Sequence, residues 1–340
     1  MKNFLNLPAF LSRIIKINLL LATVLLAVAF VSLLVGTARI EIIGGLKGLL
    51  YGWHKGFTGL TPAEKTIIFS IRLPRIIFAG IVGAALSTAG VVFQALLRNP
   101  LADPYILGIS GGSAVGAIIG IVIGAGFLPF SIPALALLCA ALTVSLVFAI
   151  GRTNPNTLLL AGVIVNAFFS AIIMFLISMS TSAELHNITF WLMGDLSLAA
   201  SGEIIMTGIF LIIGFAVIYL EARPLNLIVT GEETAMQLGV NVEKTKIWLF
   251  LAASLITGLA VSFSGIIGFV GLIIPHIMRM LCGSDHRLLL PASFLFGASF
   301  LIVADTIART IIPHTELPVG VITAICGAPY FIYLLRRRTY

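Results

Sequence analysis

Three groups of polar residues interrupt an otherwise apolar chain, and they are the places to look for chemistry. One is the run RNPLADP (Arg98 to Pro104). One is the segment TGEETAMQLGVNVEKTK (Thr230 to Lys246). The third is a set of arginines, Arg72, Arg75 and Arg309, the last of them four residues after Asp305. None completes a catalytic set. The dipeptide Gly-Lys never occurs, so there is no G-x-x-x-x-G-K-[ST] loop and the chain is not its own P-loop ATPase. There is no H-E-x-x-H. The five histidines (His54, His186, His276, His286 and His314) are scattered, which reads as turn or interface residues, not metal ligands. Cys139, Cys282 and Cys326 lie in or beside apolar runs without CxxC spacing, as small core residues do. Glu203, Glu221 and Asp305 fall near the ends of apolar runs, which argues against a relay of carboxylates for ion coupling. What these polar groups can do is break helices, cap them and attract a charged partner.

The elements that must position them are membrane helices. Of the 340 residues, 59% are hydrophobic and 10% charged, against roughly 25% charged in a soluble domain, and the mean hydropathy is +1.15. The net charge of +7 then reflects Lys and Arg held at cytoplasmic helix ends, not affinity for nucleic acid. Apolar runs predict ten spans, near 17–36, 74–97, 105–125, 131–150, 157–179, 203–220, 246–264, 267–281, 288–309 and 318–335. The first is too long for a signal-peptide core and reads as an uncleaved helix. An even count puts both termini on one side. Lys2, Arg13, Lys16 and the closing Arg336, Arg337 and Arg338 make that side the cytoplasm. Alternation leaves Arg98, Arg152, Arg223, Lys244, Lys246 and Arg287 inside. The loop 37–73 falls outside despite Arg39, Lys47, Lys55, Lys65 and Arg72, and loop 180–202 carries Trp191 as an interfacial aromatic.

An internal repeat runs at a constant offset of 175. Gly83 matches Gly258, Ala85 matches Ala260, Ser87 matches Ser262 and Gly90 matches Gly265. The match continues through Leu97 and Leu272, Pro100 and Pro275, Gly108 and Gly283. The offset carries span 2 onto span 7, an odd shift, so the copies are inverted, as in many transporters. Pro100, Pro104 and Pro275 each lack a backbone donor and are expected to break the helices there. Broken backbone at membrane depth is tolerated beside protein or a water-filled cavity. A tight cytoplasmic turn capped by Asn99 and Asp103 satisfies the first break equally well.

On these residues the chain resembles the FecCD family, the permease subunits of ATP-binding-cassette importers for ferric siderophores, haem and vitamin B12. The matching blocks are RLPR (Arg72 to Arg75), GAALSTAGVVFQALLRNPLADPYILGIS, WLMGDLS, GEETAMQLGV, SGIIGFVGLIIPHIMRMLCGSDHRLLLP, ADTIAR, ELPVG and GAPYFIYLL. The resemblance implies an all-α polytopic permease of the type II importer class: ten transmembrane helices in one domain over 1–340, with helices 2–5 and 7–10 as inverted repeats. The first helix and external loop occupy 1–71 and the first repeat 72–179. An external helix, helix 6 and a cytoplasmic coupling loop occupy 180–245, and the second repeat 246–340. It implies a bacterial inner-membrane homodimer in lipid, two cytoplasmic ATPase subunits that use ATP and Mg, an external binding protein, and no cofactor or metal on the permease itself. Ferric siderophore is the first expectation for the cargo, with cobalamin or haem as alternatives. An ion-coupled secondary transporter is the other class of function.

Three sets of site residues follow. Thr230 as N-cap, Glu232 and Glu233 in the first turn and Gly239 as the stop predict a short helix from Gly231 to Leu238. The resemblance makes it the ATPase-coupling helix, with Glu232, Glu233, Ala235, Met236, Leu238 and Gly239 in the contact. Asn166, Ser170 and Met174 fall on one face of helix 5, which the resemblance places along the translocation pathway. Arg72, Arg75 and Arg309 share the outer face. The family implies that acidic knobs of the binding protein dock there, while the i, i+4 spacing also allows a plain Asp305–Arg309 pair.

Overall fold

The computed structural model describes residues 7–36, 61–125, 128, 130–197, 200–312 and 315–338, with no strand among them. Arg39, Lys47, Lys55, His54 and His314 lie outside the described residues. The helices are α1 (Leu7–Leu34), α2 (Pro62–Lys65), α3 (Leu73–Leu96), α4 (Ile109–Val122), α5 (Ser131–Gly151), α6 (Pro155–Met179) and α7 (Ser182–Met193). They continue as α8 (Ser201–Leu220), α9 (Ala222–Thr230), α10 (Glu232–Gln237), α11 (Val242–Ser264), α12 (Val270–Cys282), α13 (His286–Thr310) and α14 (Val319–Arg338). A π-helical turn over Thr66–Arg72 joins α2 to α3. Among the described residues, seven helical segments are long and apolar enough to cross a bilayer. Three shorter apolar helices, at 109–122, 270–282 and 319–333, stand where the third, eighth and tenth spans are expected.

Local signals explain where helices begin. Thr61 and Thr181 form capping boxes with Glu64 and Glu184. Asn154 accepts the amides of Asn156 and Thr157 just before Pro155, which suits the first helical position. Asn241 and Asp285 cap α11 and α13. The end of the bundle at which α1 begins is called inner below, and the opposite end outer.

α3 is the central helix, with 83% of its most apolar window buried, whereas the α1 window is 6% buried and faces outward. Small residues allow the close approach. Gly83 packs on the Gly297 backbone, Gly90 on Gly271, and the Ser87 hydroxyl donates to the Ser293 carbonyl at 2.8 Å. Each packing pair of the first repeat has a counterpart in the second. α3 meets α12 and α13 as α11 meets α4 and α5; α4 meets α5 and α6 as α12 meets α13 and α14; and α5 meets α6 as α13 meets α14. The expected repeat is therefore present in the packing, with Gly258 meeting Ala140 on α5 as Gly83 meets Gly297 on α13. The copies run in opposite directions, since the end of α3 at Arg98 and the start of α11 at Lys246 meet on Glu232.

The constant offset does not survive the ends of α3 and α11. The connection after α3 covers 97–108, while that after α11 covers only 265–269. Gly90 is therefore interior to α3, whereas Gly265 ends α11 at φ 68°; Gly108 opens α4, whereas Gly283 closes α12. Pro100 and Pro104 lie in the turns of the first break as expected, but Pro275 is inside α12 and breaks nothing. A proline frees the carbonyl four residues back, here Gly271. The buried Gln94 amide of α3 donates to Gly271 O at 3.3 Å and Leu272 O at 3.2 Å, and Arg279 Nη1 holds the Gln94 oxygen at 3.0 Å.

Gly90 tests this packing. Its substitution by alanine drives a Cβ into the Gly271 backbone and is expected to cost ~1–3 kcal/mol, the range for overpacking. The loss reads as an earlier midpoint in detergent thermostability. Gly268→Ala, whose Cβ meets open space, should leave the midpoint in place.

Candidate functional sites at the two ends of the bundle

At the outer end the three arginines are brought together, but inside the protein. Arg72, Arg75 and Arg309 are 4%, 7% and 5% exposed and Asp305 is fully buried. Arg75 Nε donates to Asp305 Oδ1 at 2.9 Å, and its Nη1 donates to Glu316 Oε2 at 2.5 Å. Arg309 Nε stands 3.1 Å from Asp305 Oδ2, an ion pair by distance without hydrogen-bond alignment. Its Nη2 instead donates to Ser32 Oγ at 2.9 Å and Thr306 Oγ1 at 3.2 Å, which ties α13 to α1. Arg72 Nη1 donates to the Leu33 and Leu34 carbonyls at 2.8 and 3.1 Å. It thereby covers the C-terminal carbonyls of α1, where the helix dipole favours a cation. The Asp305–Arg309 pair allowed by the spacing is formed, inside a larger network. Of its acids, only Glu316 is half-exposed.

Between the two broken segments lies a cavity of about 500 Å³ lined by Asp103, Tyr105, Leu192, Met193, Phe269 and Ala324 among others. Burial pushes the Asp103 carboxyl up to about 6, against the Tyr105 amide, which donates to Oδ1 at 2.9 Å. The residues expected along the pathway do not line this cavity. On α6, Asn166 is half-buried, with its side-chain oxygen against Gly111 of α4, while Ser170 and Met174 are exposed. Trp191, expected at the interface, is half-buried in α7, and its carbonyl accepts the Ile266 amide at 3.3 Å.

At the inner end the expected short helix is α10. Its N-cap is Gly231, not Thr230. Thr230 is instead the last residue of α9 and bonds its hydroxyl to the Leu227 carbonyl at 2.7 Å. Gly239, at φ 85°, sits in the left-handed region just past the helix, as expected of a stop. The residues of this helix divide by direction. Glu233, Met236, Leu238 and Gly239 are exposed, and Met236 and Leu238 are large apolar groups at 55% and 63% exposure. Ala235 is fully buried against Ile228 and Val242. Glu232 turns inward, to Arg98 and Lys246. Beside α10, Asn226 of α9 binds Asp285 at 2.8 Å. Against the upward push of burial, hydrogen bonds from Arg287 and Asn226 bring the Asp285 carboxyl down to about 2. Among the described residues no group of His, Cys, Asp or Glu could hold a metal.

The sequence pattern of the FecCD transport family matches residues 24–337. The chain belongs to the FecCD transport family. It is 44% identical over 284 residues to the cobalamin import system permease protein BtuC of Halobacterium salinarum, covering 82% of this chain and 76% of that one. It is 40% identical over 293 residues to the hemin transport system permease protein HmuU of Yersinia pestis, covering 83% and 86%. A solved inward-facing structure of a metal-chelate type ABC transporter superposes with a TM-score of 0.83 at 33% identity, over 95% of this chain and 99% of that one. This FecCD protein is thus an all-α, multi-pass ABC permease of the type II importer class, a transport component.

Sequence reasoning missed Ser32, Thr306 and Glu316 as partners of the arginines, and Gln94 as the partner of the Gly271 carbonyl that Pro275 leaves free. ELPVG and the glutamine stand within the family blocks, but nothing in their own neighbourhood names a partner so distant in the chain.

The outer network has an expected hierarchy. Asp305→Leu leaves two buried guanidiniums without their shared carboxylate and is expected to cost ~3–5 kcal/mol. Glu316→Gln, on a half-exposed side chain, should cost ~1 kcal/mol or less. Detergent thermostability of the two variants orders them, and equal losses would refute a network centred on Asp305.

Proposed function

We propose that this FecCD permease forms the membrane pathway of an ATP-driven importer that takes a bulky metal chelate from an external binding protein and releases it into the cytoplasm. ATP would be hydrolysed by a separate pair of cytoplasmic ABC subunits acting on two copies of the permease in the inner membrane. The observation that carries this reading is family membership over nearly the whole chain, supported by the close structural similarity to a metal-chelate type transporter. The near absence of charge from the walls of the 500 Å³ cavity agrees with passage of a large chelate. For the cargo, ferric siderophore remains one reading. A macrocyclic chelate is the second, favoured by relatives named for cobalamin and hemin. A binding panel with the cognate external protein against cyanocobalamin, haemin and hydroxamate and catecholate ferric siderophores decides between them. Ion-gradient-driven uptake that needs no ATPase would overturn the importer reading itself.

The ATPase dock is assigned to the exposed part of α10. Leu238→Asp should leave the permease folded and abolish stimulation of the partner's ATP hydrolysis by the loaded binding protein. Wild-type stimulation in that variant would remove α10 from the dock. Ala235→Asp is expected to act differently, by prising α10 off Ile228 and Val242.

For the pathway, cysteines at 170 and 174 should react with small aqueous thiol reagents in at least one nucleotide state. Protection in nucleotide-free, ATP-bound and post-hydrolysis states would assign this α6 face to helix packing.

Docking of the binding protein belongs to the outer end above Arg72, Arg75 and Arg309. Because Glu316 already holds Arg75, an incoming carboxylate must displace it. Glu316→Gln should therefore speed association and Arg75→Glu should slow it, in each case more at low salt. Stopped-flow association rates unchanged in both variants would make the arginines purely structural.

A further inference from the structure

Glu232 was expected to face the ATPase, but its carboxylate points into the permease. Oε1 accepts from Arg98 Nη2 at 2.8 Å, and Oε2 accepts from Lys246 Nζ at 2.7 Å. Arg98 lies in the turn that ends α3, and Nη2 also reaches the Ile228 carbonyl of α9 at 3.4 Å. Lys246 is on α11 with its side chain 9% exposed. Its Nζ also donates to the carbonyl of Thr153 at 3.4 Å, in the turn between α5 and α6. One carboxylate thus joins α10 to two inner turns, directly to the first and through Lys246 to the second.

Both turns are strained. Arg98 has φ 48° and Arg152, the residue before Thr153, has φ 46°. Left-handed backbone at a long-chain residue costs of order 1–3 kcal/mol and persists where its surroundings hold it. α10 is otherwise held by a small apolar patch of Ala235, Ile228 and Val242. Apolar contact is non-directional and lets surfaces slide. Two charge-assisted hydrogen bonds on one carboxylate are directional and strong. Moving α10 away alone would leave the buried Lys246 ammonium without its counter-charge, which is costly.

We propose that Glu232 is a transmission strut, a positioning residue whose carboxylate carries displacement of α10 to the strained turns closing the inner ends of α3 and α5, and not an ATPase contact. This rests on the importer reading and assigns the step between the ATPase dock and the two inner turns.

The test uses the permease with its co-purifying ATP-binding subunit in nanodiscs. Cys139, Cys282 and Cys326 are replaced by alanine, and a reporter cysteine is placed at Leu101, an exposed site in the first turn. The readout is the maleimide labelling rate without nucleotide and with ATP plus vanadate. In the otherwise wild-type complex the rate should change ~5-fold or more, the lower range of an allosteric coupling. In Lys246→Met, Arg98→Gln and Glu232→Gln the change should collapse. Lys246→Met should still trap wild-type amounts of nucleotide, because that buried side chain cannot touch the ATPase. A wild-type-sized response in Lys246→Met overturns the strut. So does a loss confined to Glu232→Gln together with lost nucleotide trapping, which would make Glu232 an ATPase contact. Should Lys246→Met fail to assemble, Arg98→Gln, on a half-exposed side chain, decides alone. No nucleotide response in the otherwise wild-type complex would refute the importer reading instead.

Discussion

A bilayer offers no hydrogen bonds, so every backbone amide and carbonyl within it must find a partner in the protein. Two helices nevertheless stop short, and the broken segments after them draw hydrogen bonds from local side chains or from neighbouring chain. In 97–108, Asn99 and Asp103 take the amides of Leu101 and Tyr105 on their side chains, and their carbonyls take the amides of Ala102 and Ile106. In 265–269 the chain leans on its neighbours, with Ile266 donating to Trp191, while Asp195 reaches back to Ser264 and Val319 to Gly194. Gly265 is required at that junction because a Cβ there would run into the Trp191 carbonyl.

The same constraint explains the charges. Where a guanidinium is buried at the outer end it is matched by a carboxylate, a hydroxyl or the open carbonyls of a helix end. The consequence is a rigid seam that joins α1, α3 and α13 and hands only Glu316 to the surface. The inner end is built otherwise. There the charged residues of α10, α11 and the first turn form a short chain of contacts with partial exposure, and Met236 and Leu238 are left uncovered.

Periodic information survives in a single chain. Apolar run lengths located the helices within a few residues; α1 is the exception, beginning at Leu7 because its first turns project beyond the apolar run. Matching small residues revealed the inverted repeat through α3 and α11, where packing against α13 and α5 demands them. The match misled at Pro275 because equal spacing along the chain is not equal position in space once the two connections differ in length. The short helix before α11 was legible from its acidic start and glycine stop, but its cap was misplaced by one residue because α9 consumes Thr230.

By itself the sequence determined the membrane class, the helices, the inverted repeat, the family and the place of the short helix before α11, since each is written in local composition or in spacing within one element. Only the tertiary structure decided which polar residue meets which. Arg75 finds Asp305 and Glu316 from 230 and 241 residues away, Gln94 finds the Gly271 carbonyl 177 residues on, and Glu232 finds Arg98 across 134. Direction was decided there too: Ala235 and Glu232 turn inward while Met236 and Leu238 turn out. A side chain's chemistry is local, but its partner is chosen by packing, and in a low-dielectric interior an unmatched charge is too costly to leave that choice open.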